Sequence, residues 1–178
     1  VGALKKAPSR FFDGFHHPMK PDFQFFPGKP HFSLCESRNS PVENYFQMDF
    51  TPKAVNGLSN LALAHLGDGV FSLLCRAYLC KKGDKSVKRL HLDSIALVKA
   101  PTQAAFAEKI LPSLTEAEAD YYRRGKNAHT HAAPKSASPR EYAMATGLEC
   151  LFGALYLLGE NDRINELFNL GMEALYGI

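Results

Sequence analysis

The chain has 178 residues, of which 46% are hydrophobic and 22% are charged, values typical of a globular protein. No stretch approaches the roughly 20 consecutive apolar residues of a membrane-spanning helix, and a net charge of +3 does not by itself predict nucleic-acid binding. The four cysteines form no CxxC pair. A chain of this length can bury a core without disulfides, which favours reduced thiols in a cytoplasmic protein.

The first 47 residues differ in composition from the rest of the chain. They hold 8 of the 13 Phe and 6 of the 11 Pro, interrupted by turn residues and without a helical or strand period. The segment also lacks the apolar run of a secretory signal. Residues 43–47 resemble an incomplete tag-protease site, and Met48 is a candidate start of translation. We expect an irregular or disordered N-terminal extension over 1–47 and one folded domain over 48–178.

From Met48 onward apolar residues recur at helical spacing, and no segment alternates as a strand would. Helix starts are indicated by Ser86 and by the capping-box patterns that open at Thr115 and Ser138. Pro112 and Gly159 suit helix ends. These signals predict an all-α domain. The expected helices cover about 58–80, 87–99, 102–111, 139–158 and 162–176, and a further helix opens at Thr115 and precedes the loop over 126–137.

Two acidic residues lie among apolar residues on these helices. Asp68 shares a face with Phe71, and Glu149 shares a face with Phe152. An ionised carboxylate is costly to bury without a partner, and the nearest basic candidate is His65, three residues before Asp68. Each acid could lie at a helix end or pair with a distant arginine. Two such acids also fit a Mg²⁺ site, because Mg²⁺ prefers oxygen ligands and keeps several waters.

Between residues 120 and 141 the chain contains no acidic residue. This stretch carries basic residues at Arg123, Arg124, Lys126, Lys135 and Arg140. A second basic cluster spans 76–89, opposed only by Asp84. Such clusters can neutralise phosphates, although charge runs are also typical of a solvated surface. The loop over 126–137 leads into the helix of Glu149, and phosphate-binding groups beside metal-binding acids suit phosphodiester cleavage. The spacing of His129 and His131 does not favour a zinc site.

Three segments carry a resemblance to a known family. Residues 61–70 read LALAHLGDGV, 123–128 read RRGKNA, and 145–157 read ATGLECLFGALYL. The first and the last resemble the two signatures of the ribonuclease III catalytic domain, and the second resembles the basic loop of its mini-ribonuclease III subfamily. Pro134-Lys135 follows the second segment at the distance usual for that subfamily, and weaker agreement extends through Leu90-His91 and Gln103-Ala104. The resemblance covers about 48–176.

The resemblance implies a helical bundle of the ribonuclease III endonuclease type, acting as a homodimer without a double-stranded-RNA-binding domain. It implies an endoribonuclease that uses Mg²⁺, with Mn²⁺ as a substitute, and cleaves double-stranded RNA to leave 5′-phosphate ends. Asp68 and Glu149 would be the catalytic acids and the metal ligands. The implied RNA-binding residues are Arg123, Arg124, Lys126, Asn127 and Lys135. Precursor large-subunit (23S) ribosomal RNA is the expected substrate, and a ribosomal protein is a candidate further partner.

The chain departs from the family pattern at several positions. Ala64 and Thr146 replace two further acids of full-length ribonuclease III, a reduction that the mini subfamily shares, and Gly69 and Gly147 stand where Ala is common. One alternative is a non-catalytic ribonuclease-III-like module that binds RNA or associates with the ribosome. Another is a helical bundle with charged loops and no nucleic-acid role. Retention of both candidate acids favours the enzyme.

Overall fold

The structure, a computed structural model, describes residues 43–128 and 137–177. Every regular element within these ranges is helical, which confirms the all-α prediction. The helices are α1 (Pro52–Asn56), α2 (Asn60–Lys81), α3 (Val87–Val98), α4 (Ala100–Ile110), α5 (Glu116–Lys126), α6 (Pro139–Leu157) and α7 (Asn161–Tyr176), with a 3-10 turn at Leu111–Ser113. The boundaries of α2 to α7 lie within two residues of the expected ones, whereas the single-turn α1 and the 3-10 turn are not among the expected elements.

Side-chain caps determine where several helices begin. The Ser86 hydroxyl accepts a hydrogen bond from a backbone N–H in the first turn of α3. Thr115 forms a complete capping box with Glu118, and Ser138 forms one with Glu141. Each box satisfies two backbone N–H groups that the helix itself leaves unpaired. The predicted starts of α3, α5 and α6 are therefore confirmed.

Helix α6 lies at the centre of the bundle. Helices α2, α4, α5 and α7 all pack against it, and between residues 144 and 155 every residue is buried except Glu149. Four helices each contribute one phenylalanine to an aromatic cluster in the core. Its members are Phe71, Phe106, Phe152 and Phe168, and the Phe71 ring meets the other three edge to face at centroid distances of 5.2–5.9 Å. The core therefore fixes α2 and α6 against each other.

The C-terminal end of α6 contacts the segment that opens the predicted domain. Gly159 takes the left-handed conformation, with φ of 76°, that often follows a helix end. The N–H of Phe50 donates a hydrogen bond to the carbonyl oxygen of Leu157 at 2.8 Å, and Met48 packs against the core. The helical unit therefore includes the chain from Met48 onward. The extension over 1–47 stays a prediction, since most of it lies outside the described ranges.

Two further sequence expectations concern the membrane and the cysteines. Among the helices that the structure describes, none is long and apolar enough to cross a membrane. Cys75, Cys80 and Cys150 carry free thiols, and Cys35 lies outside the described residues. Burial raises the pKa of the Cys75 thiol to about 12 and that of the Cys150 thiol to about 11. These two thiols are therefore poor nucleophiles at neutral pH.

Candidate active site

Helices α2 and α6 cross with their backbones in contact. Gly67 faces the Glu149 carbonyl oxygen and the Gly153 nitrogen, and Gly153 in turn faces the carbonyl group of Leu63. A Cβ on either glycine would overlap these backbone atoms, so the close approach requires glycine on both helices. Asp68 directly follows Gly67 in the chain. The crossing therefore sets Asp68 and Glu149 next to each other.

The two acids open into one cleft of about 300 Å³ between α2 and α6. The structure thus brings together the two acids that the sequence analysis singled out, while their catalytic and metal-binding roles stay predictions. The remaining residues that line the cleft are Leu61, Ala64, His65, Tyr142 and Thr146. Ala64 and Thr146, the positions at which the resemblance implies further acids in full-length ribonuclease III, therefore line the cleft itself.

The expected burial of Asp68 is wrong, because this residue is exposed. The buried face of α2 runs through Gly67 and Phe71, and Asp68 lies at the edge of that face. Leu61, which the helical spacing places beside Asp68, is also 44% exposed. Adjacent residues of a helix lie about 100° apart around its axis, so a buried face that passes through Gly67 leaves Asp68 at its edge. Asp68 consequently faces the cleft and solvent rather than the core.

Glu149 lies in a more restrictive environment. Burial and, to a smaller extent, the nearby Asp68 carboxylate together raise the pKa of its carboxyl to about 7, and the Gln103 amide opposes this rise. Within the described ranges, neither acid forms an ion pair with Lys, Arg or His. Two adjacent carboxylates without a cationic side chain form a site that favours a bound cation.

The donor set of the cleft fits Mg²⁺ better than a closed metal site. In the part of the chain that the structure describes, no group of three His, Cys, Asp or Glu side chains could hold a metal ion. The Thr146 hydroxyl donates its hydrogen bond to the Tyr142 carbonyl oxygen at 3.0 Å. Asp68 and Glu149 thus supply the carboxylate oxygens. Mg²⁺ commonly takes one or two protein carboxylates and completes its shell with water and substrate phosphate.

Arg124, one of the expected RNA contacts, is engaged within the fold. Its guanidinium donates hydrogen bonds to the side-chain oxygens of Asn56 at 2.7 Å and Asn60 at 3.1 Å. The guanidinium also lies over the Tyr121 ring, with 5.4 Å to the centroid. These contacts tie the C-terminal end of α5 to α1 and to the first residue of α2. They place that end of α5 close to Leu61 and hence to the cleft.

The other expected RNA contacts occupy the last turn of α5 and the loop beyond it. Arg123 forms an ion pair with Asp120, whereas Lys126 and Asn127 are exposed. Gly125 packs directly on the turn of α6 that contains Thr146 and Cys150. Lys135, His129 and His131 lie outside the described residues. The end of α5 is therefore adjacent to the turn that bears Glu149, and the RNA-binding roles stay predictions.

The second basic cluster is more neutralised than its sequence indicates. Lys85 and Arg89 both form ion pairs with Asp93, at 2.9 Å each. Lys82 lies over the Tyr78 ring, with 5.4 Å to the centroid. Asp93 lies just beyond the run of basic residues over 76–89, so the composition of that run does not include its negative charge. This surface offers less free positive charge than six basic residues suggest.

Gln103 of α4 is a buried polar residue that sequence reasoning did not identify. It is only 1% exposed, its Nε2 donates a hydrogen bond to the Val98 carbonyl oxygen at 3.0 Å, and its amide opposes the rise in the pKa of Glu149. A single polar residue on a helix gives no local signal that it will be buried. The weak family agreement at Gln103-Ala104 was the only feature that marked this position.

Comparisons with known proteins agree with this geometry. The family profile described as Ribonuclease III domain matches residues 61–160, a range that contains both acids and the whole lining of the cleft. Mini-ribonuclease 3 of Symbiobacterium thermophilum is 46% identical over 110 residues, which are 62% of this chain and 85% of that protein. Mini-ribonuclease 3 of Clostridium tetani is 37% identical over 123 residues, 68% of this chain and 82% of that protein.

A solved structure has a similar fold. The crystal structure of protein FN1578 from Fusobacterium nucleatum matches with a TM-score of 0.60 and 34% identity, covering 65% of this chain and 89% of that one. The observed helices therefore form the ribonuclease III type of bundle that the sequence resemblance implies. This chain belongs to the ribonuclease III domain family, and it is an endoribonuclease.

Proposed function

We propose that this protein cleaves double-stranded RNA with Mg²⁺, and that Asp68 and Glu149 hold the metal. The observation that supports this most directly is that both carboxylates line one cleft between α2 and α6. Neither of them has a basic partner in the described residues. The metal, when bound, supplies an activated water and stabilises negative charge on the departing 3′ oxygen. Mn²⁺ has the same ligand preference and would substitute.

The chain's own residues have three tasks in this reaction. Asp68 and Glu149, fixed by the glycine crossing of α2 and α6, orient the metal toward a phosphate that enters the cleft. Basic side chains at the end of α5 and in the loop beyond it contact the RNA backbone. A-form RNA is recognised mainly through phosphates and 2′-hydroxyls, so this contact needs no base sequence. The products carry 5′-phosphate and 3′-hydroxyl ends.

The direct experiment is to incubate a long RNA duplex with the protein and Mg²⁺. Asp68→Asn and Glu149→Gln should each lower the cleavage rate by about 100-fold or more, because a metal ion contributes several kcal/mol to such reactions. Glu173→Gln, which changes an exposed acid on α7, is the matched control and should cleave normally. Activity in both site variants equal to that of the wild type would overturn the assignment. Binding of the duplex without cleavage, with Mg²⁺ or with Mn²⁺, would instead support a non-catalytic RNA-binding module.

The natural substrate that we propose is precursor 23S ribosomal RNA in the cytoplasm, with a ribosomal protein as a helper. Support comes from the similarity to proteins named mini-ribonuclease 3 and from the limited basic surface of the domain. Cleavage of precursor 23S RNA within its base-paired termini is the expected result. An enzyme that cuts a generic duplex but leaves this precursor intact, with ribosomal proteins added, would contradict the proposal.

We also propose that the active form is a homodimer with two-fold symmetry, the commonest arrangement of identical subunits. Helix α2 leaves large apolar side chains exposed, with Leu61 at 44% and Leu73 at 57%. Two cleavage sites related by symmetry would cut both strands of one duplex. Sedimentation equilibrium should give the mass of a dimer, and a monomer mass at micromolar concentration would contradict this.

A further inference from the structure

Helix α6 carries two tyrosines at equal distances from Glu149. Tyr142 lies seven residues before this acid and Tyr156 lies seven residues after it, so helical spacing puts both close to its face. The structure gives them different surroundings. Tyr156 packs against the hydrophobic core. Tyr142 instead lines the cleft with Thr146 and Glu149, and it is not among the residues that pack on the core. Core packing therefore does not explain an aromatic side chain at position 142.

Hydrogen bonding within the fold does not explain the Tyr142 hydroxyl either. Among the described residues the side chain of Tyr142 has no hydrogen-bond partner, and its backbone carbonyl oxygen accepts the Thr146 hydroxyl at 3.0 Å. A phenol hydroxyl can donate one hydrogen bond and accept others. The side chain is half-buried, so its motion is restricted and little conformational freedom is lost when the hydroxyl binds a ligand.

The cleft is poor in groups that could hold an RNA strand. Its lining includes the carboxylates of Asp68 and Glu149 but no lysine or arginine, and carboxylates repel the phosphates of RNA. The Thr146 hydroxyl is already engaged. The donors that remain in the lining are the exposed His65 imidazole on α2 and the half-buried Tyr142 hydroxyl on α6. Tyr142 is therefore the cleft donor, among the described residues, that is both unengaged and restrained by burial.

We propose that Tyr142 is a substrate-contact residue whose hydroxyl donates a hydrogen bond to a phosphate oxygen of the RNA strand in the cleft. Phosphate oxygens carry negative charge, and hydrogen bonds to charged acceptors are stronger than those between neutral groups. Tyrosine side chains are among those that contact phosphates in complexes with nucleic acids. Such a contact holds the strand without reading its bases. This inference rests on the proposed function of the cleft.

The test is the steady-state kinetics of duplex cleavage in Mg²⁺ by Tyr142→Phe, which removes the hydroxyl and keeps the ring. This variant should raise KM by about 10-fold, the usual effect of one hydrogen bond to a charged group. It should leave kcat nearly unchanged, because the contact is made equally before and during cleavage. Tyr156→Phe is the matched control, since it makes the same change on the same helix outside the cleft, and its KM should equal that of the wild type.

Mn²⁺ binding separates a substrate contact from a distorted metal site. Titration calorimetry with MnCl₂ in the absence of RNA should give Tyr142→Phe the affinity of the wild type. A wild-type KM in Tyr142→Phe, or a weaker Mn²⁺ affinity in it, would overturn this inference, as would an equal rise in KM in Tyr156→Phe. In each of these cases the proposed function stands as long as Asp68→Asn loses cleavage. Absence of duplex cleavage by the wild type would instead reject the proposed function, and this inference with it.

Discussion

The fold holds Glu149 in a place that penalises its charged form. Burial and the Asp68 carboxylate together raise the pKa of Glu149 from 4.5 to about 7. The folded protein therefore binds this proton more tightly than the unfolded chain does. Between pH 4.5 and pH 7 the Glu149 carboxyl is protonated in a larger fraction of folded molecules than of unfolded ones. Its contribution to the free energy of unfolding therefore falls as pH rises through that window. A metal ion at the carboxylates would relieve the penalty.

This loss of stability with rising pH leads to a prediction for the metal-free protein. Glu149→Gln should unfold at a higher urea concentration than the wild type at pH 8 and at nearly the same concentration at pH 4.5. The expected gain at pH 8 is on the order of 1–3 kcal/mol, since each pKa unit corresponds to about 1.4 kcal/mol and partial solvent contact reduces the effect. Urea unfolding in EDTA, followed by circular dichroism, measures it.

Glu141 on the same helix provides a control of opposite sign. Hydrogen bonds from the backbone and side chain of Ser138 lower the pKa of Glu141. This carboxylate stabilises the fold above its unfolded pKa and loses that contribution in acid, so Glu141→Gln should destabilise the protein at pH 8. A stability gain in Glu149→Gln that is the same at both pH values would contradict the role assigned to its burial.

At the level of the helices, replacing glycine by alanine should have opposite effects on stability at two positions of α2. A Cβ at Gly67 would overlap the backbone of α6 at Glu149, whereas a Cβ at Gly69 meets no atom within 4 Å. Gly67→Ala should therefore lower the free energy of unfolding by about 1–3 kcal/mol or more, because the two helices must separate. Gly69→Ala should raise it by about 0.5–1 kcal/mol, the usual gain in a helix interior.

Both variants can be compared by thermal unfolding and by RNA cleavage. Gly67→Ala should also reduce cleavage, since separation of α2 from α6 moves Asp68 away from Glu149, whereas Gly69→Ala should leave cleavage unchanged. Equal stability of the two variants would show that the backbone crossing does not determine the packing of these helices. Gly147, for which the sequence offered no explanation, packs against Tyr122; the structure gives no comparable reason for Gly69.

The helices could be predicted because their signals are local. Capping boxes and apolar spacing act within a few residues, so Thr115 and Ser138 marked helix starts correctly. The one-turn α1 was missed because five residues carry no period. The exposure of Asp68 and the burial of Gln103 could not be predicted, since each depends on which side of its helix another helix covers. Side-chain spacing orders residues around one axis but does not identify the neighbouring helix.

For the molecule as a whole, the position of its charges matters more than their sum. A net charge of +3 over 178 residues predicts little. The structure distinguishes basic residues that the fold already uses from those that solvent reaches. Arg124 is bound to two asparagines and stacked on Tyr121, whereas Lys126, two residues later, is exposed and forms no ion pair within the described ranges. The two residues should therefore contribute differently to RNA binding.

We expect Lys126→Ala to weaken duplex binding without changing the free energy of unfolding, because its charge neutralises a phosphate. The slope of log K against log salt concentration should become shallower by about 1. Arg124→Ala should lower the free energy of unfolding by about 1–3 kcal/mol, since two hydrogen bonds to a charged group are lost. It should leave the salt slope unchanged while the protein is folded.

Fluorescence anisotropy with a labelled RNA duplex, in an Asp68→Asn background with EDTA, measures both slopes. A shallower slope in Arg124→Ala would mean that its guanidinium leaves the asparagines to bind phosphate, and an unchanged slope in Lys126→Ala would remove this lysine from the RNA interface.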